Sequence, residues 1–212
     1  MTATRLCLVR HGETAWNAER RIQGQLDVPL SRVGHAQARA AAHRLAREDF
    51  SAIYSSDLSR ALHTAEAAAL RLKLPIGRQA ALRERHYGVL QTLTYAEFER
   101  RHPAAHARFQ AREEAFALPG GGESLRQFAD RVNRCIDAIV AAHPGGQVLV
   151  VTHGGVLDVL HRRASGKPLS VPRDFEIPNA ALNRMEVEQG RWTILSWAER
   201  SHLAEALDEL PG

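Results

Sequence analysis

The stretch QVLVVTHGG, residues 147–155, decides how the chain can fold. Its continuous apolar run is typical of a strand buried on both faces, and it ends in a polar turn at His153. The stretch LCLVRHG, residues 6–12, has the same build and ends at Arg10 and His11. Parallel α/β sheets bind their ligands at the carboxyl ends of the strands. The two stretches therefore predict that His11 and His153 lie at the ligand-binding edge of one sheet.

Outward from these stretches, strands alternate with helices along the chain. Helices are predicted at 31–47, 56–72 and 124–142 and from residue 156, further strands at 52–54 and 75–77, and a late hairpin at 181–188 and 192–197. Such alternation favours a mostly parallel sheet covered on both faces. We therefore expect an α/β fold, a three-layer α/β/α sandwich with a mostly parallel central sheet. Because no repeat and no linker interrupt it, residues 1–212 are expected to form a single domain.

Composition is that of an ordinary globular protein, with 44% hydrophobic and 25% charged residues. The 28 Lys and Arg against 24 Asp and Glu give a net charge of +4, but no clustered basic stripe points to nucleic acid. No apolar run reaches the roughly 18 residues of a membrane span, and no signal peptide is recognisable. We therefore expect no nucleic acid and no membrane as partners. Cys7 and Cys135 lie far apart and are expected to be free thiols, which indicates a cytoplasmic location.

Arg10, His11 and Gly12 form a motif suited to phosphoryl chemistry. A guanidinium beside an imidazole neutralises phosphoryl charge and favours the neutral, nucleophilic form of the imidazole. Gly12 lets a ligand approach the backbone. Since a lone histidine at a strand end is more often structural, the motif alone is a moderate indication of function.

The residues around this motif resemble the histidine phosphatase superfamily, in its cofactor-dependent phosphoglycerate mutase-like branch. The similarity starts with LVRHGET at 8–14 and Trp16-Asn17. Similar blocks follow in family order: RIQGQLDVPLS at 21–31, YSSDLSRA at 54–61, LRERHYG at 82–88 and VTHGG at 151–155. The ordered combination covers most of the chain and is far more specific than any single block.

The resemblance implies metal-independent phosphoryl transfer through a histidine. His11 would attack phosphorus and become a phosphohistidine. Glu84, with His86 as a weaker candidate, would protonate the departing alcohol and then deprotonate the hydrolytic water. The expected ligands of the phosphoryl oxygens are Arg10, Arg60, His153 and Asn17. Further candidates for substrate binding are Gln23, Gly24, Arg85, Tyr87 and Gly154. No metal and no cofactor are expected, because guanidinium and imidazole groups supply the positive charge.

The stretch from 94 to 116 is helical in character, polar and rich in arginine. Pro103 interrupts it, and the run PGGG at 119–122 ends it. We interpret the segment at about 93–120 as a small helical insertion over the active site. Its arginines are consistent with a site for a second anionic group or with a solvated helix face; they are Arg100, Arg101, Arg108 and Arg112.

The sequence contains features of both mutases and phosphatases. The block at 84–91 looks mutase-like. However, Thr92 stands where the family usually has glycine, Asp158 stands where many relatives carry arginine, and Gly154-Gly155 is typical of the phosphatases. The interval 88–122 is also shorter than the cover of true mutases, and a shorter cover admits the water that hydrolyses a phosphohistidine.

We therefore expect a phosphatase acting on a small phosphorylated metabolite. The alternative is a phosphoglycerate mutase that isomerises its substrate with 2,3-bisphosphoglycerate. A catalytically inactive module that binds a phosphorylated ligand is a third, weaker interpretation, because the expected catalytic residues are all present. The sequence leaves the oligomeric state open and is compatible with a homodimer.

Overall fold

The structure is a computed structural model that describes residues 2–208. The strands are β1 (Thr4–Arg10), β2 (Ala52–Ser55), β3 (Ile76–Arg78), β4 (Gln147–Thr152), β5 (Leu182–Glu188) and β6 (Arg191–Glu199). The helices are α1 (Ala15–Ala18), α2 (Arg32–Leu45), α3 (Ser59–Leu72), α4 (Tyr95–Arg101), α5 (Pro103–Gln110), α6 (Leu125–Ala142), α7 (Gly154–Ser165) and α8 (Ser201–Asp208). Residue 1 and residues 209–212, which the expected domain includes, lie outside the described residues.

All six strands belong to one sheet, in the order β3-β2-β4-β1-β5-β6. Strands β1 to β4 run parallel to one another. Strand β5 is antiparallel to β1, and β6 returns antiparallel to β5. The predicted mostly parallel sheet and the late hairpin are thereby confirmed. Leu182, the first residue of β5, pairs with Val9 near the end of β1, so the segment that leads into β5 reaches the carboxyl edge of the parallel strands.

The two histidine turns leave the sheet side by side. β1 and β4 are neighbours, and their last paired residues are Arg10 and Thr152. His11 and His153 are therefore the first residues beyond the same edge. This arrangement confirms the placement that the two apolar stretches predict, and it sets the site at the carboxyl ends of adjacent parallel strands.

Helices cover both faces of the sheet, which confirms the three-layer sandwich. Along β1, Leu6 and Leu8 pack on the face covered by α6 and α7. Cys7 and Val9 pack on the opposite face, beneath α2 and α3. Because side chains alternate between the two faces of a strand, an entirely apolar strand contributes to two separate cores. Cys7 is a free thiol in one of them.

The start of α3 differs from the prediction. The sequence predicts a helix from residue 56, where Ser56 or Asp57 could cap it, but the helix begins at Ser59, and Leu58 is its N-cap without a side-chain hydrogen bond. The two polar side chains have other partners: Ser56 Oγ lies 2.8 Å from His153 Nε2, and Asp57 accepts two hydrogen bonds from Arg83. Tertiary partners thus replace the local cap that the sequence pattern favours.

The expected insertion consists of α4 and α5, which meet at Pro103 as predicted. Its apolar residues form a small cluster around Phe98 and Leu90, and this cluster also contains Ile22. An isolated bridge joins Thr94 to Arg21. The insertion is therefore fixed to the segment that follows α1.

Thr92 has a backbone φ of 80°. This is the left-handed region, which glycine adopts freely and a β-branched residue does not. Its amide donates to the Ile22 carbonyl (2.9 Å), and its carbonyl accepts from Arg21 Nη1 (2.5 Å). These bonds hold the unfavourable conformation at a position where the family resemblance expects glycine.

Helix α8 is not among the predicted elements. It packs on α2, where Leu203 joins a small cluster with Ala41 and Ala180. None of the helices in residues 2–208 combines the length and the apolar character needed to cross a membrane.

Candidate active site

His11 is buried at the end of β1, with 3% of its surface exposed. Its Nδ1 lies 2.7 Å from the Gly12 carbonyl oxygen. Since a carbonyl only accepts hydrogen bonds, Nδ1 carries the proton and Nε2 keeps its lone pair. Burial, and then the positive charges of Arg60 and Arg10, hold the pKa of His11 well below its usual value. The imidazole is therefore neutral near pH 7, with Nε2 as its nucleophilic atom.

The turn after β1 is fixed from several sides. Gly12 N–H donates to Thr64 Oγ1 (3.0 Å), and Asn179 Nδ2 donates to the His11 carbonyl (2.9 Å). A Cβ on Gly12 would overlap the backbone of Gly34 at the start of α2. The glycine therefore serves helix–turn packing here, and the nucleophile sits on a rigid support.

Two guanidinium groups lie beside the nucleophile: that of Arg60 is buried, and that of Arg10 is partly buried. Arg60 is 1% exposed and donates to the carbonyls of Leu26 (2.8 Å) and Gly24 (2.7 Å). Arg10 Nη1 donates to the Ile177 carbonyl (2.7 Å). Burial lowers the pKa of Arg60 to about 10 and also lowers the pKa of Arg10.

The Nε atoms of both arginines are buried without a hydrogen-bond partner in the described part of the chain. Buried polar atoms are rarely left unpaired, and buried charges are ordinarily balanced. Two partly unsatisfied guanidinium groups at one sheet edge are typical of a site that binds an anion.

His153 supplies a further donor. Its ring centroid lies 5.2 Å from that of His11. Ser56 Oγ accepts from the Leu58 amide (3.4 Å) and lies 2.8 Å from His153 Nε2. The buried Nδ1 of His153 has no partner among residues 2–208. In the tautomer that accepts the Ser56 proton at Nε2, Nδ1 carries a proton that is available to a ligand. Burial, followed by the charge of Arg60, holds the pKa of His153 well below its usual value, so the ring is a neutral donor.

Glu84 reaches the site from the loop before α4 and is held at the N-terminus of α7. Its Oε2 accepts a hydrogen bond from Gly155 N–H (2.9 Å), and its Oε1 accepts from Arg85 N–H (2.8 Å). A Cβ on Gly155 would overlap Oε1 and would lie 3.0 Å from Glu84 Cδ. The bare backbone of Gly155 is therefore what lets the carboxyl lie against the helix end.

Gly24 contacts the Arg60 guanidinium, Gln23 directly precedes Gly24, and Asn17 lies on α1, after the turn that carries His11. The side-chain oxygen of Asn17 accepts from Thr14 N–H (3.0 Å), so its amide NH₂ is the group left to bind a ligand. Gln23 is buried, and its Oε1 has no partner within the described range. Gly24 contributes its carbonyl to Arg60 and has a positive φ of 55°.

The other three predicted substrate-binding residues do not share one environment; they are Arg85, Tyr87 and Gly154. Arg85 donates through Nε and Nη2 to the Glu123 carbonyl (2.9 and 2.7 Å), and its guanidinium lies 5.8 Å from the Tyr87 ring. Burial, and then the charge of Glu84, raise the pKa of Tyr87 well above its usual value, so its phenol stays protonated. Gly154 is the first residue of α7, and a Cβ there would lie 3.6 Å from Arg10 Nε.

Three of the four insertion arginines are exposed, as a solvated helix face predicts, and Arg112 differs; the exposed ones are Arg100, Arg101 and Arg108. Arg112 donates to Asp158 Oδ2 (2.9 Å) and to the Leu169 carbonyl (2.6 Å), which ties the insertion to α7 and to the loop after it. Arg108 pairs with Glu113 inside the insertion. For these two arginines the charge is used in internal contacts.

Sequence reasoning did not assign some residues that support the site. They are Ser56, Thr64, Gly155 and Asn179. Ser56 and Gly155 lie inside the similar blocks, so the blocks offered a signal for them. Asn179 precedes an antiparallel strand, and only the topology brings it to the nucleophile.

The arrangement is suited to attack on a phosphorus atom. A neutral nucleophile lies beside two guanidinium groups and a second neutral imidazole. The Glu84 carboxyl is close enough to act on the pKa of both arginines. Within residues 2–208, no three His, Cys, Asp or Glu side chains are grouped so that they could hold a metal ion.

Comparisons with known proteins agree with this chemistry. The family model of the histidine phosphatase superfamily (branch 1) matches residues 6–200. The chain is 42% identical to phosphoglycerate mutase-like protein 4 of Arabidopsis thaliana, over 94% of this chain and 87% of the relative. It is 41% identical to a metal-independent phosphoserine phosphatase of the same plant, over 95% and 84% of the two chains.

A solved structure, a mycobacterial glucosyl-3-phosphoglycerate phosphatase, is similar as well. It superposes with a TM-score of 0.83 at 34% identity, covering 93% of this chain and 100% of that one. The matched family region contains every residue of the site described above. The chain belongs to the histidine phosphatase superfamily, branch 1.

Proposed function

We propose that this phosphatase hydrolyses a small phosphorylated metabolite through a phosphohistidine on His11, without a metal ion. The observation that carries the proposal is the His11 environment. Its Nε2 is free because Nδ1 donates to a carbonyl. Arg10 and Arg60 are close enough to lower its pKa, and the His153 ring lies 5.2 Å from the His11 ring. Each of these three residues has a buried nitrogen without a partner among residues 2–208. These donors match the oxygens of one phosphoryl group.

In the first half-reaction, His11 Nε2 attacks phosphorus and the bond from phosphorus to the ester oxygen breaks. Glu84 donates a proton to that oxygen, so the alcohol leaves uncharged. Arg10, Arg60 and His153 bind the other phosphoryl oxygens, where negative charge is greatest in the transition state. Asn17 adds a neutral donor through its amide NH₂.

In the second half-reaction, water replaces the alcohol. Glu84, now a carboxylate, accepts a proton from the water as its oxygen attacks phosphorus. The phosphorus–nitrogen bond breaks and returns its electron pair to His11 Nε2. Inorganic phosphate leaves, and both His11 and Glu84 return to their starting protonation states.

Phosphoglycerate isomerisation is the second candidate, and the 42% identity to a phosphoglycerate mutase-like protein favours it. A mutase must keep water away from the phosphohistidine until the isomeric alcohol attacks. The cover over this site is built from only two short helices, of 7 and 8 residues. This supports hydrolysis as the main reaction.

The domain organisation, location and partners of the enzyme are also part of the proposal, and we propose a cytoplasmic location. We infer that residues 1–212 form one catalytic domain with the helical insertion at 93–120. Cys7 and Cys135 are both free thiols, which is the usual state in a reducing compartment. The expected partner is the small phosphorylated substrate, with a homodimer as a compatible assembly and with no nucleic acid or membrane bound.

The test is a panel of phosphate monoesters, run with and without EDTA, together with 3-phosphoglycerate plus 2,3-bisphosphoglycerate. We expect phosphate release that EDTA does not reduce. His11→Ala should abolish turnover and acid-labile labelling of the protein, whereas His35→Ala, on the exposed side of α2, serves as the matched control. Rapid isomerisation with little phosphate release would favour the mutase, and full activity of His11→Ala would exclude His11 as the nucleophile.

A further inference from the structure

We propose that the ion pair between Glu123 and Arg131 is a positioning element that fixes the loop at 81–86 and thereby aims the Glu84 carboxyl at the leaving group. The proposal rests on Glu84 acting as the acid and base of the proposed reaction. Neither member of the pair is among the residues that face the phosphoryl group, so any effect on catalysis has to pass through Glu84.

The pair has the geometry of a strong, directional contact. Arg131 lies on α6, and Glu123 directly precedes the N-cap of that helix. Nε of Arg131 donates to Glu123 Oε1 (2.8 Å), and Nη2 donates to Oε2 (2.7 Å). Two parallel bonds between a guanidinium and a carboxylate fix orientation as well as distance. Each side chain is 20% exposed, so solvent screens the pair only in part.

The donors that Arg131 has left are directed at the loop. Nη1 donates to the carbonyls of Ala81 (2.9 Å) and Arg83 (3.0 Å). Nη2 also lies 3.3 Å from the Glu84 carbonyl oxygen. One side chain on a rigid helix therefore binds three carbonyls of the segment that carries the acid.

Glu123 holds the other side of the acid. Its Oε2 accepts from the His86 amide (2.8 Å), and its backbone carbonyl accepts from Nε and Nη2 of Arg85. Burial alone would raise the pKa of Glu123, but the hydrogen bonds from Arg131 and from the His86 amide outweigh it and the pKa is lowered. The carboxylate is therefore charged when the enzyme works, and the main chain is fixed both before and after Glu84.

The physical consequence is specific to proton transfer. If the loop is released, the Glu84 carboxyl loses its position against the leaving oxygen, while Arg10, Arg60, His11 and His153 keep theirs. A phosphate ester of a very acidic alcohol, such as 4-nitrophenyl phosphate, needs no proton to leave. An alkyl ester such as glycerol phosphate does need one. A positioning role predicts selective loss for the alkyl ester.

The experiment measures kcat/KM for both esters in Glu123→Gln, Arg131→Met and Arg131→Lys. We expect kcat/KM for glycerol phosphate to fall at least about tenfold in the first two variants, which is part of the roughly 10²- to 10⁴-fold that a general acid supplies. The value for 4-nitrophenyl phosphate should change less than about threefold. Arg131→Lys keeps the positive charge but lacks the planar guanidinium with its parallel donors. It should therefore retain part of the kcat/KM for glycerol phosphate that Arg131→Met loses.

The matched control is Arg184→Met. Arg184 bonds Glu48 (2.6 Å) and also pairs with Glu199, and its side chain is likewise 20% exposed. Loss of that pair should change kcat/KM for both esters by the same factor, as a general loss of stability does. Glu123→Gln is the variant that keeps the shape of the side chain, and its melting temperature shows that it is folded.

Equal loss for the two esters in Glu123→Gln, or no loss, overturns the proposal. Glu84→Gln separates this failure from failure of the proposed mechanism. If Glu84→Gln shows selective loss for the alkyl ester and Glu123→Gln does not, the positioning role alone is wrong. If Glu84→Gln shows no selectivity, both the acid assignment and the positioning role are wrong.

Discussion

Replacing Gly155 by alanine tests how the Glu84 carboxyl is held at the end of α7. The new Cβ would overlap Glu84 Oε1 and would lie 3.0 Å from Glu84 Cδ and 3.1 Å from Phe128 Cε1. Phe128 is 2% exposed and packed in the core, and the helix backbone is fixed by its own hydrogen bonds. The carboxyl is therefore the group that moves.

The displacement removes the hydrogen bond from Gly155 N–H to Glu84 Oε2, which is 2.9 Å long. Such a hydrogen bond contributes about 0.5–1.5 kcal/mol, which corresponds to roughly 2- to 13-fold in rate. This factor is smaller than the roughly 10²- to 10⁴-fold that general acid–base catalysis supplies, so the displaced carboxyl keeps part of its function. We expect kcat/KM for glycerol phosphate to fall by the factor that the lost hydrogen bond gives. The free energy of unfolding should change little, because two effects oppose each other. Alanine is favoured over glycine in a helix by about 1 kcal/mol, and this offsets the cost of displacing the carboxyl.

The assay is phosphate release from glycerol phosphate by Gly155→Ala, Glu84→Ala and the double variant. With Glu84 shortened to alanine the overlap disappears, so adding Gly155→Ala should then have almost no further effect. If the two substitutions instead lower kcat/KM by factors that multiply, Gly155 does not act through the position of the carboxyl and the reasoning is refuted.

Further outcomes follow from the same geometry. Thr92→Gly should raise the free energy of unfolding by about 1 kcal/mol, because glycine adopts the φ of 80° without strain; urea titration measures this, and an unchanged midpoint contradicts it. Inorganic phosphate at about 100 times its Kd should stabilise the protein by about 2.7 kcal/mol. This stabilisation raises Tm, and Arg60→Met should abolish the rise. A rise in Tm that survives in the variant contradicts Arg60 as a ligand of the phosphate. Stability should fall as the pH drops below about 6.5, because the unfolded chain then protonates His11 while the lowered pKa keeps the folded imidazole neutral. His11→Asn should reduce this slope in urea titrations, and an equal slope contradicts the assignment.

Much of the fold could be predicted because it depends on local patterns. The apolar run at 147–152 is a strand with the same bounds in the structure, since its residues are buried on both faces. Pro103 separates α4 from α5 as predicted, because proline is tolerated in the first turn of a helix and not in its interior. The start of α3 could not be predicted, because Ser56 and Asp57 bind partners that are distant in sequence.

The candidate site likewise has a part that the sequence could predict and a part that it could not. Arg10 ends β1, and His11 and His153 directly follow β1 and β4. Since these strand ends meet at one sheet edge, the proximity of the three residues could be inferred from the topology. Arg60 and Glu84 were located through the ordered blocks and not through any local pattern. The contacts of Asn179, Gly155 and Arg112 depend on how loops return to the sheet, and they carry no periodic signal.

The one antiparallel strand next to β1 also sets when a newly made chain can become active. Asn179 Nδ2 holds the carbonyl of His11 across 168 positions of sequence, and the Ile177 carbonyl holds Arg10 across 167. A chain still attached to the ribosome therefore has its nucleophile early but cannot make these contacts until residues 177 to 179 have been synthesised. Strands β1 to β4 all precede those residues. The contacts that fix Arg10 and His11 therefore become available only after the four parallel strands have been made.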